Sequence, residues 1–177
     1  EYFKLFLYFF WRADKNKGTW IDEEVEMLEM EDLKSIIMLS DLNDAMLKNI
    51  LKATKKTTYS SGEYIFKEGD YAEYFYAVLD GKVGLELQKD TDTLVMMNTI
   101  TRGYAFGFSA LVDTERKKYI SNAKALTDVN LLKWSVEELR KLFHKDYEMA
   151  YLLTKRIAKI AKKRLQNRNA QFLEIYR

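Results

Sequence analysis

A chain of 177 residues, 47% apolar and 32% charged, is long enough for one domain with a hydrophobic core and helical extensions. The net charge of +2 gives no overall signal for nucleic-acid binding. Cysteine is absent and His144 is the single histidine, which excludes disulfides, thiolate chemistry and multi-histidine metal centres. We therefore expect no metal site and no catalytic residue. The composition is compatible with a reducing compartment, and we expect a cytoplasmic location.

Residues 1–20 form an apolar N-terminal segment, in which Leu5 to Trp11 is an unbroken apolar run. A membrane-spanning helix needs about 20 apolar residues, so this run predicts no transmembrane span. We expect the segment either to pack on its own domain or to contact a partner or a membrane surface. Leu5, Phe9 and Trp11 are the contact residues that we infer for it.

Residues 21–56 are predicted to form two helices. Apolar side chains recur at helical spacing over residues 21–39, and acidic residues crowd the start, where the helix dipole favours them. A second helix is predicted to follow from Asp41. Its inner face would carry Leu47 and Ile50.

The pattern changes at Thr57, and residues 57–134 show about seven short apolar alternations separated by Gly and Asp turns. Val83, Leu85 and Leu87, for example, alternate with polar residues along one predicted strand. Short strands at this spacing are typical of a β-sandwich or barrel. We predict a mainly β domain with flanking helices.

Helical periodicity returns over residues 135–177. Ser135, with Glu138 three positions later, predicts a capping box at the start of a short helix. A long helix is predicted from about Asp146 to near the end. Its apolar positions fit either a two-helix dimer seam or packing on its own barrel, through Leu153, Ile157, Ile160 and Leu165.

The long helix is also strongly basic, with seven basic residues and no acidic one between Lys155 and Arg168. This block is compatible with a solvated face or with contacts to acidic protein, lipid headgroups or phosphates. This basic block and the apolar tail at residues 172–176 lead us to expect a protein partner or a homodimer. We infer contacts at Lys159, Lys163, Phe172 and Tyr176.

Four motifs in order, three of them with glycine, carry a family resemblance. They are GEYIFKEGD at 62–70, FYAVLDGKV at 75–83, GYAFG at 103–107 and ALTD at 125–128. This order, between N-terminal helices and a long C-terminal helix, resembles the cyclic-nucleotide-binding domains over about residues 35–165. The resemblance implies a jelly-roll β-barrel and a phosphate-binding cassette, here residues 103–119.

In that family a glutamate of the cassette binds the ribose hydroxyl and an arginine pairs with the cyclic phosphate. Phe108 and Tyr119 stand at the corresponding positions of this sequence. A basic side chain of the preceding loop is the alternative source of a cation, although a run of charges on a loop favours a solvated loop tip. The candidate ligand-binding residues are Phe106, Gly107, Phe108, Ser109, Ala110, Leu111, Arg116, Lys117, Lys118 and Tyr119.

The resemblance implies a regulatory, ligand-sensing module, and a cyclic nucleotide is the candidate ligand. Phe108 and Tyr119 predict that its binding is altered or lost. The alternative is a structural or adaptor subunit of a larger assembly that uses a degenerate barrel. The family's transcription factors carry a helix-turn-helix domain that this sequence lacks, so we expect no sequence-specific DNA readout.

Overall fold

The computed structural model of the protein describes residues 28–90, 93–112 and 117–175. The N-terminal segment 1–20, with Leu5, Phe9 and Trp11, lies outside the described residues, as do Arg116 and Tyr176. The helices are α1 (Met30–Lys34), a 3-10 turn (Ile37–Leu39), α2 (Asp44–Lys52), α3 (Val136–Lys145) and α4 (Tyr147–Ile175). The strands are β1 (Thr54–Tyr59), β2 (Tyr64–Phe66), β3 (Tyr74–Asp80), β4 (Lys82–Gln88), β5 (Leu94–Thr101), β6 (Ala105–Phe106), β7 (Asn122–Ala125) and β8 (Val129–Ser135).

The strands form two four-stranded antiparallel sheets, with orders β1-β8-β3-β6 and β2-β7-β4-β5. This architecture confirms the predicted fold class, which is mainly β with flanking helices. The described residues contain eight strands where about seven were expected, and β1 starts at Thr54, before the predicted change at Thr57. The mostly polar strand β1 is an edge strand, because it stands at the end of the sheet order and pairs with β8.

Two hydrophobic cores share the strands of the first sheet. On β3, Phe75 and Ala77 pack with the helices, whereas Tyr76 and Val78 point between the two sheets. Successive side chains of a strand point to opposite faces, so one strand can serve both cores. We call the first the helix core and the second the barrel core.

The N-terminal helices differ from the prediction over residues 21–39. Residues 21–27 lie outside the described part, and the rest is divided between α1 and the 3-10 turn by extended backbone at Ile36. The second helix begins at Asp44 rather than Asp41, because Asn43 caps it. The Asn43 Oδ1 accepts the Met46 N–H at 2.9 Å, which satisfies one of the first free amides of the helix.

The capping box predicted at Ser135 is not formed. Ser135 is the residue before α3, but its side chain makes no capping hydrogen bond. The Val136 N–H donates instead to the Glu73 carbonyl at 3.0 Å, which ties the start of α3 to the β2–β3 connection. The Glu138 Oε2 is buried without a hydrogen-bond partner.

Helix α4 has 29 residues and is therefore about 43 Å long. Met149 and Leu153 are buried in the helix core, and Ile157 packs against it, so these positions face the chain's own domain. Leu165, which shared their predicted seam, is exposed instead. None of the described helices combines the length and apolarity that crossing a membrane requires.

Candidate ligand cassette

The cassette begins at Gly103, just before β6 of the first sheet. Gly103 donates its N–H to the Val78 carbonyl at 2.8 Å, and the Tyr104 carbonyl accepts the Val78 N–H at 3.0 Å, which fixes the segment beside β3. Gly107 then adopts φ +79°, and a 3-10 turn follows at Phe108–Ala110. Such a left-handed conformation favours glycine, because other residues meet a steric penalty there.

Tyr119 is built into the barrel core. Only 5% of it is exposed, and its ring stacks on Phe66 with 3.6 Å between ring centres and 8° between planes. Its hydroxyl donates to the Tyr74 carbonyl at 2.7 Å and accepts the Tyr74 N–H at 3.2 Å. The hydroxyl is thus engaged both as donor and as acceptor by the backbone of one residue.

Further aromatic rings surround Tyr119. Phe106 stacks on Tyr76 at 5.3 Å, and Phe66 lies 6.0 Å from Phe106. Burial raises the pKa of Tyr119 to about 12 and raises the pKa of Tyr76 further still. Both side chains are therefore neutral at physiological pH, and the position that the resemblance assigns to a phosphate-binding arginine carries no positive charge.

Phe108 faces the other way, towards the helices. It packs against the helix core and lies 5.4 Å from Phe75, ring centre to ring centre. The Arg164 guanidinium of α4 covers it at 4.8 Å from the ring centre, and an Arg164 Nη donates to the Ala105 carbonyl at 3.3 Å. The structure thus separates the two substituted anchor positions, with Phe108 in the helix core and Tyr119 in the barrel core.

Arg164 was missed by the sequence analysis, which treated it as one member of a basic run. Desolvation beside Phe108 lowers the pKa of Arg164, and nearby Arg168 adds to this effect. Within the described part of the chain, none of its contacts is an ion pair. The available signal was its position one turn after Ile160, on the inner face of α4.

The remaining cassette residues are divided between the same two cores. Ala110 lies in the barrel core, Leu111 packs against the helix core and Ser109 is half-buried. Lys117 and Lys118 are exposed, and Lys117 has a left-handed φ of +41°. The structure therefore does not bring these two lysines into the barrel core with Tyr119.

The loop that carries the lysines is tied to the β2–β3 connection. The Ala72 N–H donates to the Lys117 carbonyl at 2.8 Å, and the Tyr119 N–H donates to the Asp70 carbonyl at 3.0 Å. A surface depression of about 450 Å³ lies elsewhere, and no cassette residue lines it. Its lining residues are Thr58, Tyr59, Ser60, Glu63, Asp80, Asp128, Val129 and Asn130.

Comparison with known proteins identifies the family. The family model described as "Cyclic nucleotide-binding domain" matches residues 56–146, which is half of the chain. The chain belongs to the cyclic nucleotide-binding domain family. The cAMP-dependent protein kinase type II regulatory subunit of Drosophila melanogaster is 34% identical over 80 residues, covering 45% of this chain and 21% of that protein. The match thus spans about a fifth of that relative's length.

Two solved structures show the same fold. A putative cyclic nucleotide-binding protein from Geobacter metallireducens GS-15 has a TM-score of 0.68 at 24% identity, covering 78% of this chain and 99% of that one. The regulatory subunit of a cAMP-independent protein kinase A from Trypanosoma brucei has a TM-score of 0.63 at 17% identity. There the match covers 83% of this chain and 49% of that one.

Proposed function

We propose that this chain is a non-enzymatic regulatory module of the cyclic-nucleotide-binding type in which binding of cAMP and cGMP is lost or strongly weakened. The observation that carries the proposal is Tyr119. Its ring fills the barrel core against Phe66, and its hydroxyl is engaged by the Tyr74 backbone. A neutral, occupied phenol cannot pair with a phosphate as a guanidinium does.

The second anchor supports the same proposal. The Phe108 ring lies between Phe75 and Arg164 in the helix core and offers no acceptor for a ribose hydroxyl. A hydrogen bond to a charged group contributes about 1.5–3 kcal/mol. Losing two such contacts therefore weakens binding by roughly a hundredfold or more. The residues present do not fit a cyclic nucleotide in the manner that the family resemblance implies.

The test is calorimetric titration of the folded chain with cAMP and cGMP at moderate salt. We expect no saturable heat up to about millimolar nucleotide, and circular dichroism on the same sample establishes that the protein is folded. Micromolar affinity would contradict the proposal and direct attention to Arg116, Lys117 or Lys118 as the cation. Replacing both Lys117 and Lys118 by Ala would then separate their contribution from that of Arg116.

A variant titration sharpens the test. Phe108→Glu together with Tyr119→Arg restores both anchor types, but each change places a charge in a core. Tyr119→Lys serves as the matched control, because it adds the same charge without the bidentate fork of arginine. Nucleotide binding by the arginine variant alone would support the assignment of position 119.

The second candidate function is that of an adaptor subunit, and α4 favours it. Large apolar side chains lie exposed along this helix, among them Tyr151, Leu165 and Phe172. Exposed apolar surface of this kind marks contacts between proteins. We propose a protein contact through α4, with another protein or a second copy, to which the exposed side chains of Lys159 and Lys163 are also available. A contact between α4 and a membrane surface is the third candidate function.

A further inference from the structure

The outer face of α4 carries exposed side chains at heptad spacing. Tyr151, Ala158, Leu165 and Phe172 follow one another at intervals of seven residues, and all four are exposed. Thr154 and Ala161 lie between them at the alternate heptad positions, on the same face. We call this stripe the outer seam.

The outer seam points away from the domain because the opposite face of α4 packs on it. Met149 and Leu153 are buried in the helix core, and Arg156 donates to the Ile37 carbonyl at 2.9 Å. Of the large seam residues, Tyr151 is 62% exposed and Leu165 is 60% exposed. The helix therefore has one face packed on its own chain and one heptad face exposed.

The flank of the outer seam is positively charged. Lys155 and Lys162 each follow a seam residue by four positions and border the seam, and the Lys155 Nζ lies 5.6 Å from the centre of the Tyr151 ring. From Met149 to Leu173 the sequence contains no acidic residue. A binding surface with this pattern is apolar along its centre and basic along its edge.

This charge pattern disfavours a second copy as the occupant. Pairing two outer seams would place Lys155 and Lys162 of both copies near one another without a carboxylate to offset them. Arg168 occupies a seam position itself, so two copies would also bring arginines together along the seam. Like charges at such positions destabilise a two-helix interface.

The narrowness of the seam disfavours a lipid surface. A helix that lies in a bilayer interface presents a broad apolar face, whereas a stripe of two positions in seven is the geometry of a helix pair. Here Thr154, two alanines and Arg168 interrupt even that stripe. Little apolar area would enter a membrane.

We propose that the outer seam binds an amphipathic helix of another protein, with apolar residues at its own seam and acidic residues beside it. Carboxylates at the flanking positions would face Lys155 and Lys162 and offset the positive charge along this edge. The inference deepens the adaptor function and rests on it. It does not depend on whether the cassette binds a nucleotide.

The probe is a fluorescent synthetic peptide of about four heptads, with Leu at the seam positions and Glu at the flanking positions. Anisotropy titrations use the full chain.

Lys155→Glu with Lys162→Glu is expected to weaken binding at least about tenfold. Lys159→Glu with Lys163→Glu changes the charge equally on the same helix but away from the seam. Both lysines are exposed, yet their distance from the seam predicts that they contribute little, and this variant is expected to weaken binding less than about threefold. Leu165→Ser with Phe172→Ser, whose residues lie outside both cores, tests the apolar centre and should also weaken binding at least about tenfold.

Three outcomes would overturn the proposal. Equal losses of peptide affinity in the two double charge-reversal variants would show that the attraction is electrostatic but not specific to the seam. A dimer in sedimentation equilibrium that Leu165→Ser with Phe172→Ser dissociates would make a second copy the occupant. Cosedimentation with anionic phosphatidylserine vesicles, combined with no peptide binding, would make the surface lipid-binding. The calorimetric titration with cAMP and cGMP measures a different interaction, so its result stands whether or not the peptide binds.

Discussion

The Arg164 guanidinium lies 4.8 Å from the centre of the Phe108 ring and donates a hydrogen bond to the Ala105 carbonyl beside it. Helix α4 is thereby joined to the cassette through groups that the chain itself supplies. A cation over an aromatic ring contributes about 0.5–2 kcal/mol, and more when it is desolvated. The position of α4 is therefore coupled to the cassette.

Removing this contact should loosen the middle of α4. We expect Arg164→Ala to raise amide hydrogen exchange around residues 160–170 by about tenfold, corresponding to about 1–2 kcal/mol. Arg168→Ala, one turn further along, removes an exposed arginine and should leave exchange nearly unchanged. Equal increases in both variants would show that the Phe108 contact does not hold the helix.

Tyr119 gives a pH dependence of stability. Its pKa is about 12 in the folded protein and about 10 when unfolded, so the folded state holds the proton more tightly. The resulting stability is fully present below pH 10 and is lost as the pH rises from 10 towards 12. The difference of about two pKa units limits this loss to about 3 kcal/mol.

Tyr119→Phe provides the comparison. The variant leaves the Tyr74 N–H and carbonyl without their partner, which should cost about 1–3 kcal/mol at pH 7. Urea unfolding of both proteins from pH 7 to 11.5 should show the gap between them narrowing above pH 10. A constant gap would show that Tyr119 does not titrate in this range.

Gly81 forms the tight turn between β3 and β4, which lie in different sheets, and leaves no room for a side chain. It has φ +85°, and a Cβ there would lie 2.3 Å from the Asp128 carbonyl oxygen. Gly62 has a similar φ of +91°, but a Cβ at this position would meet nothing within 4 Å, so it is a matched control. We expect Gly62→Ala to cost about 1–2 kcal/mol and Gly81→Ala about 1–3 kcal/mol more, measured by urea unfolding. Similar losses would mean that the neighbouring turn moves aside freely.

A side-chain hydrogen bond joins Trp134 of β8 to Thr54, the first residue of β1. The indole Nε1–H donates to the Thr54 Oγ1 at 2.7 Å, and Trp134 is almost fully buried. Thr54→Val leaves this buried N–H unsatisfied and should destabilise the protein by about 1–3 kcal/mol, with a shift in tryptophan fluorescence. Thr54→Ser keeps the hydroxyl and should cost less than about 1 kcal/mol. The expectation fails if the two substitutions cost the same.

The parts of the fold that could be predicted depend on local signals. Glycine turns at Gly69 and Gly81 require positive φ, which is visible in the sequence as glycine between β-prone runs. The start of α4 next to Asp146 was also predicted. The Asp146 Oδ1 accepts the Met149 N–H at 2.9 Å. These features involve residues close together in the chain.

The parts that could not be predicted depend on distant contacts. Arg164 lies far from Phe108 in the sequence, so its helical position could place it on the inner face of α4 but could not identify the ring that it covers. Leu153 and Leu165 both fit a helical seam, and only the packed structure places one inside and the other outside. The opposite orientations of Phe108, in a 3-10 turn, and Tyr119, in the loop before β7, likewise follow from packing against two different cores.

The division into two cores has an evolutionary consequence. The helix core holds the helices on the first sheet, and the barrel core joins that sheet to the second through residues such as Phe66 and Tyr119. A lineage that stopped selecting for a ligand could exchange a charged pocket residue for an aromatic one and gain packing inside the barrel. The helices would keep their own packing on the first sheet, so loss of ligand recognition need not entail loss of the fold.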